Sequence, residues 1–254
     1  MESGSEARRM TRHPIVSVII PTLLEEKLLG TVLAQFTRPL RERYSLEIVV
    51  SDAGSTDRTL EIARAEADIV VENLTDRRQT ISIGRNRGAD ASHGTILLFI
   101  NADTIIDDID HFLSDVLRAA EDERVSGITC NVAVHSDVEK WTDRFFHSIF
   151  NRYFRFLNFI GLGMGRGECQ AVRRELFYAV GGYNEHIAAG EDFDLFVRLR
   201  KKGKIAFLRN HRVRESPRRY RRLGYLHVTF LWCLNGLSVL IFKRSVATEW
   251  KPIR

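Results

Sequence analysis

Residues 46–57 read LEIVVSDAGSTD. Leu46–Ser51 is a short apolar run rich in β-branched residues, the pattern of a buried strand. Asp52 stands where that strand ends, Gly54 permits a tight turn, and Thr56 or Asp57 can cap the helix that Asp57–Ala67 predicts. Working outward, Ile15–Ile20 (IVSVII) is a strand that stops at Pro21, and Leu24–Arg43 is a helical stretch that Pro39 can interrupt. Asp68–Glu72 is a third strand, Ile83–Ser92 a helix, and Thr95–Ile100 (TILLFI) a fourth strand. Strands and helices alternating at this spacing imply a parallel sheet covered by helices, an α/β fold. Ligands of such sheets sit at the carboxyl ends of the strands, here Pro21–Glu26, Asp52–Asp57 and Asn101–Asp103.

The second half reads differently. Val125–Val134 is a strand, Asp137–Ile160 an aromatic-rich helix, and Gly161–Gly167 (GLGMGRG) a loop, expected to be mobile near an acceptor site. A short strand over Glu168–Val172 and a helix over Arg174–Val180 follow. Glu191–Lys202 is a helix with acids first and bases last, the order that suits its dipole. Ile205–Leu208 and Arg212–Glu215 read as two late strands, and Arg218–Phe242 as one long final helix. The division expected is a flexible arm over 1–13, an α/β domain over 14–217, and a basic and apolar helical segment over 218–254.

The 254 residues suffice for one large α/β domain, and 44% hydrophobic content excludes wholesale disorder. The net charge of +5 suits contact with phosphates or an anionic membrane and selects neither. No nucleic-acid partner is expected. Arginines crowd 77–87 and 209–222. The three cysteines are far apart without CxxC spacing, which argues against a disulfide framework or zinc knuckle. The polar Met1–His13 lacks the apolar core of a secretory signal.

Four constellations can carry chemistry. Asp52 can accept hydrogen bonds from a base or ribose, although a capped βα turn explains the same residues. Asp103, after Asn101 and Ala102, offers a hard oxygen ligand for Mg²⁺ or Mn²⁺ bridging a diphosphate, and an Asx turn is the plain alternative. Glu191 and Asp192, with Asp194, can hold a general base or simply favour a helix start. Arg218, Arg219, Arg221 and Arg222 can clamp a diphosphate, meet anionic lipid heads, or face water. Gly161–Gly167 follows a helix and not a strand, so a dinucleotide loop is rejected. His211, alone between basic residues, is weak evidence of a further metal ligand.

In this order the pieces resemble the family 2 glycosyltransferases of the GT-A fold. The resemblance rests on Val18–Thr22 with Glu25-Glu26, Asp52–Asp57, Arg85–Ala89 with Gly94, and Phe99–Asp103. It closes on Arg173–Phe177, Gly181–Tyr183 and Glu191–Leu195, and runs from about Val16 to Tyr220. It implies that Pro21, Thr22, Glu25 and Asp52 hold the nucleoside of a UDP- or GDP-sugar. Arg85 and Asn86 would lie near ribose or phosphates, Ala102 and Asp103 at the donor, and Asp103 would anchor a divalent metal, Mn²⁺ or Mg²⁺. Asp192, beside Glu191, would be the base of an inverting transfer. Arg218, Arg219 and Tyr220 resemble the family's basic-aromatic motif over the diphosphate. Two departures stand out: Asn101-Ala102-Asp103 replaces Asp-x-Asp, and Leu24 stands where Asn is common, putting a minor donor contact in doubt.

Leu223–Phe242 carries no formal charge and has the length of a bilayer span, but His227, Thr229, Asn235 and Ser238 interrupt it. Trp141–Ile160, studded with Arg144, Arg152 and Arg155, suits a helix in the headgroup layer. Contact with the cytoplasmic face of a membrane and a lipid-linked acceptor would follow; packing of the two helices together or across a dimer is the alternative. Oligomeric state stays open. A sugar nucleotidyltransferase would want a glycine-rich basic loop after the first strand, and Pro21–Lys27 has none. A non-catalytic nucleotide-sugar scaffold would not need Asp103, Glu191 and Asp192.

Overall fold

A computed structural model describes residues 15–75, 79–242 and 244–246. The expected arm at 1–13, and Arg77 and Arg78 of the first arginine cluster, lie outside the described residues. The first half runs β1 (Val16–Thr22), α1 (Leu29–Ala34), α2 (Arg38–Tyr44), β2 (Leu46–Asp52), α3 (Thr59–Glu66), β3 (Ile69–Glu72), α4 (Ile81–Ala91) and β4 (Ile96–Phe99). Then come β5 (Ile105–Ile106), α5 (Ile109–Glu121), β6 (Val125–Val134), α6 (Trp141–Phe159), β7 (Gln170–Arg173) and α7 (Arg174–Ala179). The chain ends in α8 (Glu191–Arg200), β8 (Lys204–Glu215), α9 (Arg218–Leu223) and α10 (Tyr225–Phe242).

One sheet has the order β3-β2-β1-β4-β7-β6-β8-β5. β1 pairs in parallel with β2 and β4, and β2 with β3, as the alternation requires. β7 is inserted reversed between β4 and β6, and β5 closes the edge antiparallel to β8. The period-2 alternation of side chains splits the core between the two faces of the sheet. Val18, Ile20, Ile48 and Val50 join Leu29, Leu33, Phe112 and Val116 of α1 and α5 on one side. Ile19, Val49, Leu97 and Phe99 join Phe177, Phe196 and Leu199 of α7 and α8 on the other.

The stretch 24–43 is two short helices: turns occupy its start, and Pro39 sits in the first turn of α2, where a missing N–H costs nothing. α5 was not foreseen, yet Phe112, Leu113 and Val116 bury a regular stripe. The two late strands are one, β8, with a register shift between Leu208 and Arg212. Asn131 Nδ2 donates to the carbonyls of Arg209 (2.7 Å) and His211 (3.0 Å), satisfying backbone groups that the bulge leaves outside the ladder. The long final helix breaks at Gly224, whose φ is +81°.

Leu24 adopts a left-handed conformation, φ +56°, while its N–H donates to Ser55 Oγ at 2.8 Å. In that conformation Cβ crowds the following carbonyl oxygen; an apolar Leu gains nothing to offset this, whereas the short polar side chain of Asn can hydrogen-bond to the local backbone. Leu24→Asn is expected to raise unfolding free energy by about 0.5–1 kcal/mol. Urea denaturation checks this, and a loss of stability would mean that the Leu24 side chain contributes more by packing than its backbone loses.

Candidate active site

The carboxyl ends of β1, β2 and β4 open on a cavity of about 860 Å³. Pro21, Thr22 and Glu25 line it from the β1 end, and Asn101, Ala102 and Asp103 from the turn after β4. Arg85 comes from α4, Glu191 and Asp192 from the start of α8, and Arg218 and Arg219 from α9. Asp103 and Asp192 therefore meet on one cavity, and Asp52 does not join them. Asp52 is fully buried, and its carboxylate is turned into the βα turn. Oδ1 accepts from Thr22 Oγ1 (2.9 Å) and Ser55 Oγ (2.6 Å), and Oδ2 from the N–H groups of Gly54 (2.9 Å) and Ser55 (2.7 Å). With four donors in place, Asp52 shapes the turn whose neighbours Ser51 and Ala53 reach the cavity.

Asn86 is not brought to the cavity either. Its Oδ1 accepts from Tyr183 N (2.9 Å) and its Nδ2 donates to Tyr183 O (3.0 Å), so it pins the chain after Gly181-Gly182. Its neighbour Arg85 is completely buried and joins three parts of the site. Its guanidinium donates to Glu191 Oε1 (2.9 Å), Asn101 Oδ1 (3.0 Å) and Gly167 O (2.9 Å), and lies 5.1 Å from the Tyr183 ring centre. Asn101, the departure from the Asp-x-Asp pattern, thus spends its side-chain oxygen on Arg85.

Burial pushes the Glu191 carboxyl up to about 7, with Asp192 adding to the shift and Arg85 opposing it. Asp192 is also raised, first by burial, against the pull of Arg85. Its Oδ2 accepts from Gly167 N (3.0 Å) and its Oδ1 from Phe193 N (2.8 Å), which fixes the carboxylate at the cavity wall. Asp103 is raised by burial first; Arg218, 3.5 Å away, opposes this and Glu25 adds to it. Arg218 itself forms a two-pronged pair with Glu25 (3.0 and 2.7 Å). Arg221 instead pairs with Asp143, and Arg222 is exposed, so the basic run divides between cavity and surface.

The loop expected to be mobile is packed into the site. A Cβ on Gly163 (φ +84°) would stand 2.5 Å from Phe196 O, and one on Gly167 would stand 2.8 Å from Arg85 Nη2. This loop brings residues that sequence reasoning missed. Arg166 pairs with Glu168 (3.2 Å) and Glu215 (2.7 Å), and Tyr220 Oη donates to Glu215 at 2.7 Å. Burial, then Glu168, drives Glu215 well above the carboxylate range, while Arg166 pulls Glu168 below it against burial. Away from the cavity, His211 Nε2 lies 2.7 Å from Asp115 Oδ2. With His111 these groups offer ligand atoms within 4.8 Å of one another, a set that can hold a metal ion.

The sequence matches the glycosyl transferase family 2 model over residues 17–181. It is 31% identical over 191 residues to a PGL/p-HBAD biosynthesis glycosyltransferase of Mycobacterium tuberculosis, covering 73% of this chain and 69% of that one. A glycosyltransferase AglE of Haloferax volcanii is 36% identical over 94 residues, 35% of this chain and 31% of the relative. Among solved structures, a mannosyltransferase of Pyrobaculum calidifontis in complex with GDP-Man and Mn²⁺ superposes with a TM-score of 0.66 at 22% identity, over 89% of this chain and 63% of that one. GalNAc-T7 with UDP, GalNAc and Mn²⁺ gives 0.59 at 18% identity, over 81% and 44%. The fold is GT-A, and the chain is a glycosyltransferase that belongs to glycosyl transferase family 2.

Proposed function

We propose that the enzyme moves a sugar from a nucleoside diphosphate, UDP or GDP, to an acceptor hydroxyl by one in-line displacement with inversion. The observation that carries this is the meeting of Asp103, Asp192, Arg218 and Arg219 on one cavity at the carboxyl ends of the strands. Structural relatives hold GDP-Man or UDP together with Mn²⁺, which supports the donor class. Pro21, Thr22 and Ala53 would meet the nucleoside, and Arg218 and Arg219 the diphosphate.

Asp192 takes the proton of the acceptor hydroxyl. The freed oxygen bonds to the anomeric carbon as the bond from that carbon to the diphosphate oxygen breaks, and the nucleoside diphosphate leaves with the electron pair. Burial raises Asp192, and a carboxylate raised in this way is a stronger base than a solvated one. Arg85 holds Glu191 and Gly167, and through Gly167 the orientation of Asp192.

The residues fit a divalent cation. Asp103 is a hard oxygen donor whose charge is held at a cost by burial and by Glu25 and Glu168, and a cation would offset that cost. Bound there, Mn²⁺ or Mg²⁺ would neutralise charge on the departing diphosphate. Asp103→Asn is expected to cut metal-dependent turnover at least about 100-fold. It should also raise the metal-free melting temperature at neutral pH: a carboxyl raised in the folded state costs stability above its unfolded value, and Asn removes that cost. Donor turnover, calorimetry and the anomeric configuration of the product test this; retained configuration would reject the displacement.

A further inference from the structure

The cavity has a second character away from its charged groups. Phe150, Phe154 and Leu157 of α6, Phe193 of α8, and Trp232 and Leu237 of α10 also line it. A nucleoside diphosphate sugar is polar except for its base, so it leaves most of this wall without an apolar partner. The wall is built where α6 and α10 pack together, with ring centres 4.3 Å apart for Phe146 and Tyr225 and 5.7 Å for Phe150 and Trp232.

The outward faces of the same helices are apolar as well. Trp141, Phe145, Ile149, Tyr153, Phe156 and Ile160 recur at three- and four-residue spacing and are all exposed, Trp141 at 77%. On α10, Leu226 (89%), Phe230, Leu234 and Leu237 are exposed. Tyr153 and Leu237 belong both to this face and to the cavity lining, so the apolar wall is continuous with the surface. Exposed apolar patches of this kind mark interaction sites.

Charge selects the occupant. From Arg144 to Gly167, and again from Ser216 to Val246, the sequence has no Asp or Glu; Arg144 pairs with Glu139 at 2.8 Å, while Arg152 and Arg222 are exposed. A second copy docking face to face would oppose these arginines to their own counterparts with no acid from these segments to answer them. Anionic lipid heads answer them directly. No helix among the described residues is long and apolar enough to cross a membrane. Val228, Asn235 and Val239 press one side of α10 onto the protein, so the pair can lie on a bilayer but not traverse it.

We propose that the acceptor is an amphiphile gathered at an anionic lipid surface on which α6 and α10 lie, its hydroxyl-bearing head at Asp192 and its apolar tail along the Phe150–Trp232 wall. What happens at Asp192 rests on the transfer reading above; the lipid docking does not.

Two measurements test it on the full chain. The first is co-sedimentation with phosphatidylcholine vesicles with and without phosphatidylglycerol. Binding should need the anionic lipid, weaken with salt, and fall at least about tenfold in Phe145→Glu/Phe230→Glu. Neither residue lines the cavity, so donor hydrolysis by that variant should stay within about twofold. The second is calorimetric titration with methyl, hexyl and dodecyl glucoside below their micelle concentrations. Affinity should climb about threefold to fourfold per methylene until the wall is filled. Failure to bind vesicles, with a dimer in light scattering that the double variant splits, would overturn the proposal in favour of self-association. Affinity independent of chain length would overturn the tail subsite. Loss of donor hydrolysis in the parent protein would strike the transfer reading alone, since neither measurement depends on turnover.

Discussion

Asp192→Asn is expected to lower transfer about 10³-fold while leaving donor affinity within about threefold. The substitution is nearly isosteric. Asn still offers one oxygen to the N–H of Gly167 or of Phe193, so the loop and the start of α8 keep their positions. What is lost is the acceptor for the hydroxyl proton, and that is felt mainly in the turnover step. The parent enzyme should lose activity on the acid side, and at a higher pH than an ordinary Asp would give, because burial raises Asp192. Glu191→Gln is the control: its oxygen is already committed to Arg85, so it should lose less than Asp192→Asn. A Gln variant at 191 that is inactive beside an active Asn variant at 192 would exchange the two roles. Steady-state kinetics with donor titration, run over pH 5–9, reads all of these outcomes.

The strands were legible because each is a short β-branched run ended by turn chemistry; Ile15–Ile20, Leu46–Ser51 and Thr95–Ile100 all match observed strands to within a residue or two. The cavity lies at their carboxyl ends, where an α/β sheet binds its ligands. α5 was hidden because it opens among acids that favour turns; Asp108 caps it, accepting from His111 N at 3.4 Å. β8 was split because Asn210 and His211 interrupt its apolar alternation, and only the pairing with β6 shows one strand with a bulge. The cluster of Arg166, Glu168, Glu215 and Tyr220 carried no local signal beyond Tyr220, which was read within the Arg218-Arg219-Tyr220 motif. Its members are ordinary charged and aromatic residues, and Arg166 meets Glu215 and Tyr220 across 49 and 54 positions. Asp52 shows the converse: its position at the strand end was read correctly, but its hydrogen bonds, which the sequence cannot orient, point into the turn.

Arg85→Met is expected to cost about 3–5 kcal/mol of stability at pH 8, the range for removing one member of a buried ion pair. Met fills comparable space, so the loss reports the charge and its hydrogen bonds more than packing. Three acceptors are orphaned together: Glu191 Oε1, Asn101 Oδ1 and Gly167 O. Glu191 already sits near 7 with Arg85 holding it down, so without Arg85 its carboxyl rises further. A carboxyl raised in the folded state contributes fully below its unfolded value near 4.5, and that contribution is lost as pH climbs through the folded value. The variant should therefore unfold more easily at pH 8 than at pH 5.5, by a wider margin than the parent. Adding Glu191→Gln removes the titrating group, so the double variant should recover about 1–3 kcal/mol at pH 8 and little at pH 5.5. Urea denaturation at the two pH values completes the cycle. An equal deficit at both pH values, unrelieved by Glu191→Gln, would mean that Arg85 acts by packing Tyr183 and the glycine loop. In that case the position of Asp192 would not depend on the ion pair.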